Sequence, residues 1–179
     1  MNKLYKIILI IIMVSFPKFL LSADMVGYLM DQAEQEYNEK NYSKAYTALQ
    51  NIAPTGHPKA IYLLGTMYLE GLDIDKNYEV AHEMILFASQ NLYKNDKIMA
   101  SEAQNKLSEM YEKGMGTIKN NIEAYKWLYI ANNTSTTSNA NSLNALASLK
   151  SLISDKEEAL AIKEAKLFIF NTSDKEDNE

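Results

Sequence analysis

Along residues 60–71 the side chains Ala60, Leu64, Met67, Tyr68 and Gly71 stand at i, i+4, i+7, i+8 and i+11. Side chains three and four apart share one face of a helix, so this spacing is the buried stripe of an amphipathic helix. The stripe returns 43 residues later as Ala103, Leu107, Met110, Tyr111 and Gly114. Residues 60–88 and 103–131 align without a gap and share nine identities: those five positions and Lys76/Lys119, Asn77/Asn120, Ala81/Ala124 and Ala88/Ala131. Chance similarity would not collect its matches on one helical face. Strand signals are scarce, while apolar residues recur at helical steps almost throughout, which predicts an all-α chain.

The phrase that opens the second half of each copy occurs three times: KNYSKAYTAL from Lys40, KNYEVAHEMI from Lys76 and KNNIEAYKWL from Lys119. Asn41, Asn77 and Asn120 each precede an alanine by four positions, Ala45, Ala81 and Ala124. Asparagine is a strong N-cap, because its side-chain oxygen accepts from the free N–H groups of a first turn. Each phrase therefore predicts the start of a second helix, with a small residue where two helix backbones approach. Behind it an apolar stripe continues, as at Ala124, Trp127, Leu128 and Ala131. The first hairpin turns tightly between Tyr37 and Asn41. The other two carry longer loops, EGLDID and KGMGTI, where Gly71 and Gly114 suit a left-handed helix stop. Pro54 and Pro58 lie in the connector APTGHPKA, which separates one hairpin from the next.

The stretches AIYLLGTMYLEG and AQNKLSEMYEKGMG, followed by K-N and the helix EAYKWLYIA, resemble the Sel-one-like repeat (SLR) family, a relative of the tetratricopeptide repeat (TPR). AEQEYNEKNYSKAYTAL resembles a tetratricopeptide hairpin, with Ala33, Tyr37, Tyr42 and Ala45 at its small and aromatic positions. The departures are Ser108 where the other copy has Gly65, Asp73 where it has Gly116, and a single aromatic Trp127. The resemblance implies a right-handed α-solenoid of stacked antiparallel helix hairpins. Its expected organisation is a tetratricopeptide-like hairpin over 24–56, two Sel-like repeats over 57–131, a polar connector over 132–141 and a capping helix pair over 142–170. A disordered acidic tail is expected over 171–179. Ser154 and Glu157 have the spacing of a capping box.

Ahead of the repeats, Lys3 and Lys6 precede an apolar run over 7–14 and a second patch over 19–21, then Ser22 and Ala23. This is the plan of a secretory signal peptide over 1–23. The alternative is an N-terminal membrane anchor over 4–21, although Pro17 and Lys18 interrupt it. The expectation is an exported protein, periplasmic or secreted, that touches a membrane only through this segment if it is retained. The whole chain has a formal charge of −5, and loss of residues 1–23 removes Lys3, Lys6 and Lys18 but no acid. An acidic chain without arginine lacks forked phosphate donors, so nucleic acid is not expected as a partner. With no cysteine, neither a disulfide nor a lipidated cysteine is available.

Candidate chemistry is sparse. His57 and His82 are the only histidines; His82 falls where the other copies have Tyr46 and Tyr125, a packing position. No catalytic, cofactor-binding or metal-binding set is expected, and the Gly114/Gly116 pair lacks the rest of a phosphate-loop fingerprint. Tyr62, Thr66 and Glu70 form a row on the face opposite the Leu64/Tyr68 stripe, continued in the next copy by Asn105, Glu109 and Lys113. In proteins of the resembled family the first helices line a concave surface, which makes this row the expected contact for a protein or peptide partner. The function expected is a non-catalytic interaction scaffold. The alternative is a cell-envelope hydrolase acting on cell-wall material.

Overall fold

A computed structural model describes residues 23–92, 96–134 and 140–173. Among these residues there are eight α-helices and no strand. In chain order they are α1 (Ala23–Asn38), α2 (Tyr42–Ile52), α3 (Pro58–Glu70), α4 (Tyr78–Asn91), α5 (Lys97–Lys113), α6 (Asn121–Thr134), α7 (Ala140–Lys150) and α8 (Asp155–Ser173). A short 3₁₀ turn, Ala53–Thr55, follows α2. Residues 1–22 of the expected signal or anchor segment and 174–179 of the expected tail lie outside the described residues, whereas residues 171–173, expected in the disordered tail, continue α8, and Ala23 begins α1. No described helix is long and apolar enough to cross a membrane. α6 extends through Thr134, so the start of the polar connector is helical.

Helices pair as α1/α2, α3/α4 and α5/α6, and each pair packs on the next. The alanines after each cap, Ala45, Ala81 and Ala124, are fully or almost fully buried, as close backbone approach requires. Gly65 shows how close: a Cβ there would stand 3.0 Å from both Met84 Cβ and Ile85 Cγ1 of α4. Ser108 meets the same constraint differently, donating from Oγ to the Ala124 carbonyl of α6 at 2.7 Å. The departure from the repeat pattern thus becomes an inter-helix hydrogen bond.

Two of the three asparagine caps form as expected. Asn77 Oδ1 accepts from Val80 N at 3.0 Å, and Asn120 Oδ1 accepts from Ile122 N and Glu123 N. Asn41 does not cap with its side chain, which donates instead to Glu39 Oε2 at 3.3 Å. The tight first turn, with Lys40 at φ 63°, leaves Asn41 at ψ 58°, away from the extended backbone that aims a cap inward. Gly71 and Gly114 adopt the left-handed stops at φ 71° and 69°. Asp73 keeps the left-handed conformation of its counterpart Gly116, at φ 56° against 69°.

A recurring contact joins successive hairpins. Tyr46 meets Tyr68 edge-on with their hydroxyls 2.8 Å apart, and His82 meets Tyr111 edge-on at 5.1 Å between ring centres. His82 is therefore a packing residue at the position shared with Tyr46 and Tyr125. Tyr125 ends the series by donating to Glu158 Oε1 of α8 at 2.9 Å. The last two helices lean on α6 without packing extensively on each other. Trp127 of α6 is covered by Phe168 of α8, whereas over residues 141–150 of α7 only Leu149 is buried. Ser154 and Glu157 form the expected capping box, Ser154 N donating to Glu157 Oε2 and Glu157 N to Ser154 Oγ.

Candidate interaction surface

The first helices of the hairpins lie side by side and are tied together by ion pairs. Lys59 of α3 reaches Glu34 of α1 at 2.6 Å, and Lys106 of α5 reaches Glu70 of α3 at 3.3 Å. Tyr37 and Tyr62 lie on the same side. The Tyr37 phenol is pushed up to about 12 by burial, then by Tyr42, Glu70 and Glu102; that of Tyr62 is pushed higher, by burial first and Glu102 second. Loss of a phenolic proton would place a further negative charge near these carboxylates, out of water.

The predicted row does not form one surface. Tyr62 is 4% exposed and Thr66 7%, both sealed inside the chain. Tyr62 belongs to a core cluster with Leu49, Ile52 and Leu63. The reason is architectural: a first helix in a stack is buried on its own partner helix and again on the preceding hairpin, so the face opposite one apolar stripe is also covered. Glu70, Asn105, Glu109 and Lys113 remain exposed. Asn105 donates to the Ser101 carbonyl at 2.8 Å, and Lys113 pairs with Glu109 one turn away.

Asn105 and Glu109 form part of an open groove of about 660 Å³ between α5 and α7, floored by α6. One wall is α5, with Ile98, Glu102, Asn105, Glu109 and Glu112; the other is α7, with Ser142, Ala145 and Leu149. Leu128 and Ala131 form the floor. Glu102 and Glu112 were absent from the predicted row, although Glu102, Asn105, Glu109 and Glu112 follow i, i+3, i+7 and i+10, a polar stripe readable in the sequence. No sequence signal sets the placement of α7 that supplies the other wall of the groove.

Neither histidine stands in the groove. His57 caps α3, its Nδ1 accepting from Ala60 N at 3.4 Å, and burial followed by Lys59 lowers its pKa. Burial likewise lowers the pKa of His82, whose Nε2 is enclosed without a hydrogen-bond partner. Among the described residues no group of three or more acidic or histidine side chains is placed to hold a metal ion.

Stacked hairpins joined by repeated aromatic contacts define the chain as an α-solenoid of the kind that serves as a protein-interaction scaffold. Two of its hairpins are Sel1 repeats, matched over residues 58–91 and 101–133, and the chain adopts the SLR fold. The structure of c5321, a protective antigen of uropathogenic Escherichia coli strains with an SLR fold, superposes with a TM-score of 0.68 at 19% identity, covering 80% of this chain and 30% of that one. A Sel1 repeat protein from Oxalobacter formigenes superposes with a TM-score of 0.54 at 30% identity, covering 66% of this chain and 44% of that one. The chain thus spans less than half the length of either. No curated protein matches the sequence significantly.

Proposed function

We propose that this protein is an exported scaffold that binds another protein non-catalytically through the first-helix side of its solenoid. The observation that carries the reading is the open groove along α5, whose lining residues combine carboxylates with aliphatic side chains and include no histidine. Export is supported by the lysine-led apolar segment ahead of the repeats. The test is native capture of partners from an envelope extract, with crosslinking mapped on the purified protein, alongside turnover assays on cell-wall material. Crosslinks concentrated on α5 without turnover would bear the reading out. Hydrolysis of cell-wall material with no crosslinked partner would overturn it.

A further inference from the structure

We infer that the α5–α7 groove receives an extended basic segment of a partner protein, with two Lys or Arg side chains flanking aliphatic ones. This inference rests on the scaffold reading and names the chemistry of its partner. Three carboxylates, Glu102, Glu109 and Glu112, line the groove, and no lysine does. Lys113 neutralises Glu109. Glu102 and Glu112 form no ion pair among the described residues, and the α6–α7 connector residues 135–139 carry no charge in the sequence. Lys113 also lies close enough to Glu112 to interact with it, and three carboxylates against this one lysine leave the wall with a net excess of negative charge.

Between these charges the wall is polar, with Asn105 and Ser108, while below them Leu128, Ala131 and Leu149 give the floor a nearly buried apolar strip, and Ile98 at the rim is 71% exposed. Ten helical residues separate Glu102 from Glu112, a distance of roughly 15 Å along α5. An extended chain covers that distance in about five residues. The complementary ligand carries basic side chains six positions apart, the next even spacing, with aliphatic side chains at the alternate positions between them, so that all four point to one side of an extended strand and the flexible basic arms reach inward to the carboxylates. An acidic segment would meet like charge, and a purely polar one would leave the apolar floor uncovered.

The experiment titrates the isotope-labelled protein with the peptide Lys-Ser-Leu-Ser-Leu-Ser-Lys and follows amide shifts. Glu-Ser-Leu-Ser-Leu-Ser-Glu and Lys-Ser-Ser-Ser-Ser-Ser-Lys serve as controls. Saturable shifts confined to α5, α6 and α7 are expected with the first peptide alone, weakening as salt is raised. The double variant E102Q/E112Q should bind roughly fivefold more weakly, each exposed ion pair contributing a fraction of a kcal/mol. A145K, at an exposed helical site that tolerates lysine, should abolish binding while circular dichroism stays unchanged. Equal binding of the acidic peptide, shifts elsewhere, indifference to either variant, or no saturation would overturn the inference. If the peptide fails while crosslinks to α5 persist, the chemistry assigned to the partner is wrong and the scaffold reading survives. If crosslinks to α5 are also missing, both fall.

Discussion

Gly116 and Asp73 occupy the same turn position in consecutive hairpins, and both have a left-handed backbone. Their surroundings make them unequal. A Cβ on Gly116 would come within 1.9 Å of the Tyr78 carbonyl oxygen and 2.8 Å of Glu79 N, at the start of α4. The KGMGTI loop of one hairpin thus rests against the second helix of the hairpin before it, and backbone atoms cannot yield as a flexible side chain would. Gly116→Ala is expected to lower stability by about 3 kcal/mol or more, combining the steric conflict with left-handed strain. Asp73→Gly should be neutral or stabilising by up to about 1 kcal/mol, because it relieves strain at φ 56°. Urea unfolding midpoints measure both; equal effects would show that loop contact plays no part. The sequence pairs these residues through the repeat, but only packing shows which one is indispensable.

At the scale of the helix, α3 to α6 are capped in turn by the side chains of His57, Asn77, Asp96 and Asn120. The histidine cap makes α3 sensitive to acid. Accepting a hydrogen bond at Nδ1 requires the neutral ring, and burial followed by Lys59 lowers the folded pKa below the ordinary value near 6.5. The contribution of His57 is therefore complete above pH 6.5 and is lost as pH falls through the lower folded value. A cap is worth about 1 kcal/mol. Thermal melts between pH 7.5 and 5 should show this loss in the native protein. His57→Asn should retain the cap and keep only the acid loss due to His82, whose pKa is shifted in the same direction by burial. An unchanged pH profile in that variant would show that the cap is not pH-sensitive. Helix existence and order were legible from apolar spacing, and so was the His82 packing position. The failure of Asn41 as a side-chain cap was not, because it follows from the dihedral angles of a tight turn.

For the whole molecule, the C-terminal third depends on a junction that no local pattern announces. Glu158, near the start of α8, accepts from Tyr125 of α6 and from Lys150 at the end of α7. These bonds, Lys150 first and Tyr125 second, hold its carboxyl below the usual range. Because α7 buries little else besides Leu149, this junction fixes the groove wall. Glu158→Ala should speed amide exchange over residues 140–150 by about tenfold or more, with little change in α1–α4. The same loosening should appear in the native protein only as pH falls through the folded value of Glu158, since the carboxylate form is the one that makes both bonds. Uniform exchange changes along the whole stack would show that α7 is held by something else.

The sequence by itself determined the repeat, the helix pairs, the small residues at close crossings and the left-handed stops, because each depends on spacing within one element or on a residue's own backbone preference. The tertiary structure alone decided which polar face stays open. Tyr62 and Thr66 lie off the apolar stripe of α3 and are nonetheless buried, because a second neighbour covers that face. Glu102 and Glu112 become a groove wall only through the placement of α7, which depends on contacts between residues more than thirty positions apart, such as Tyr125 and Glu158. Burial by a neighbouring hairpin and the placement of an end helix are properties of the stack, and no single helix encodes them.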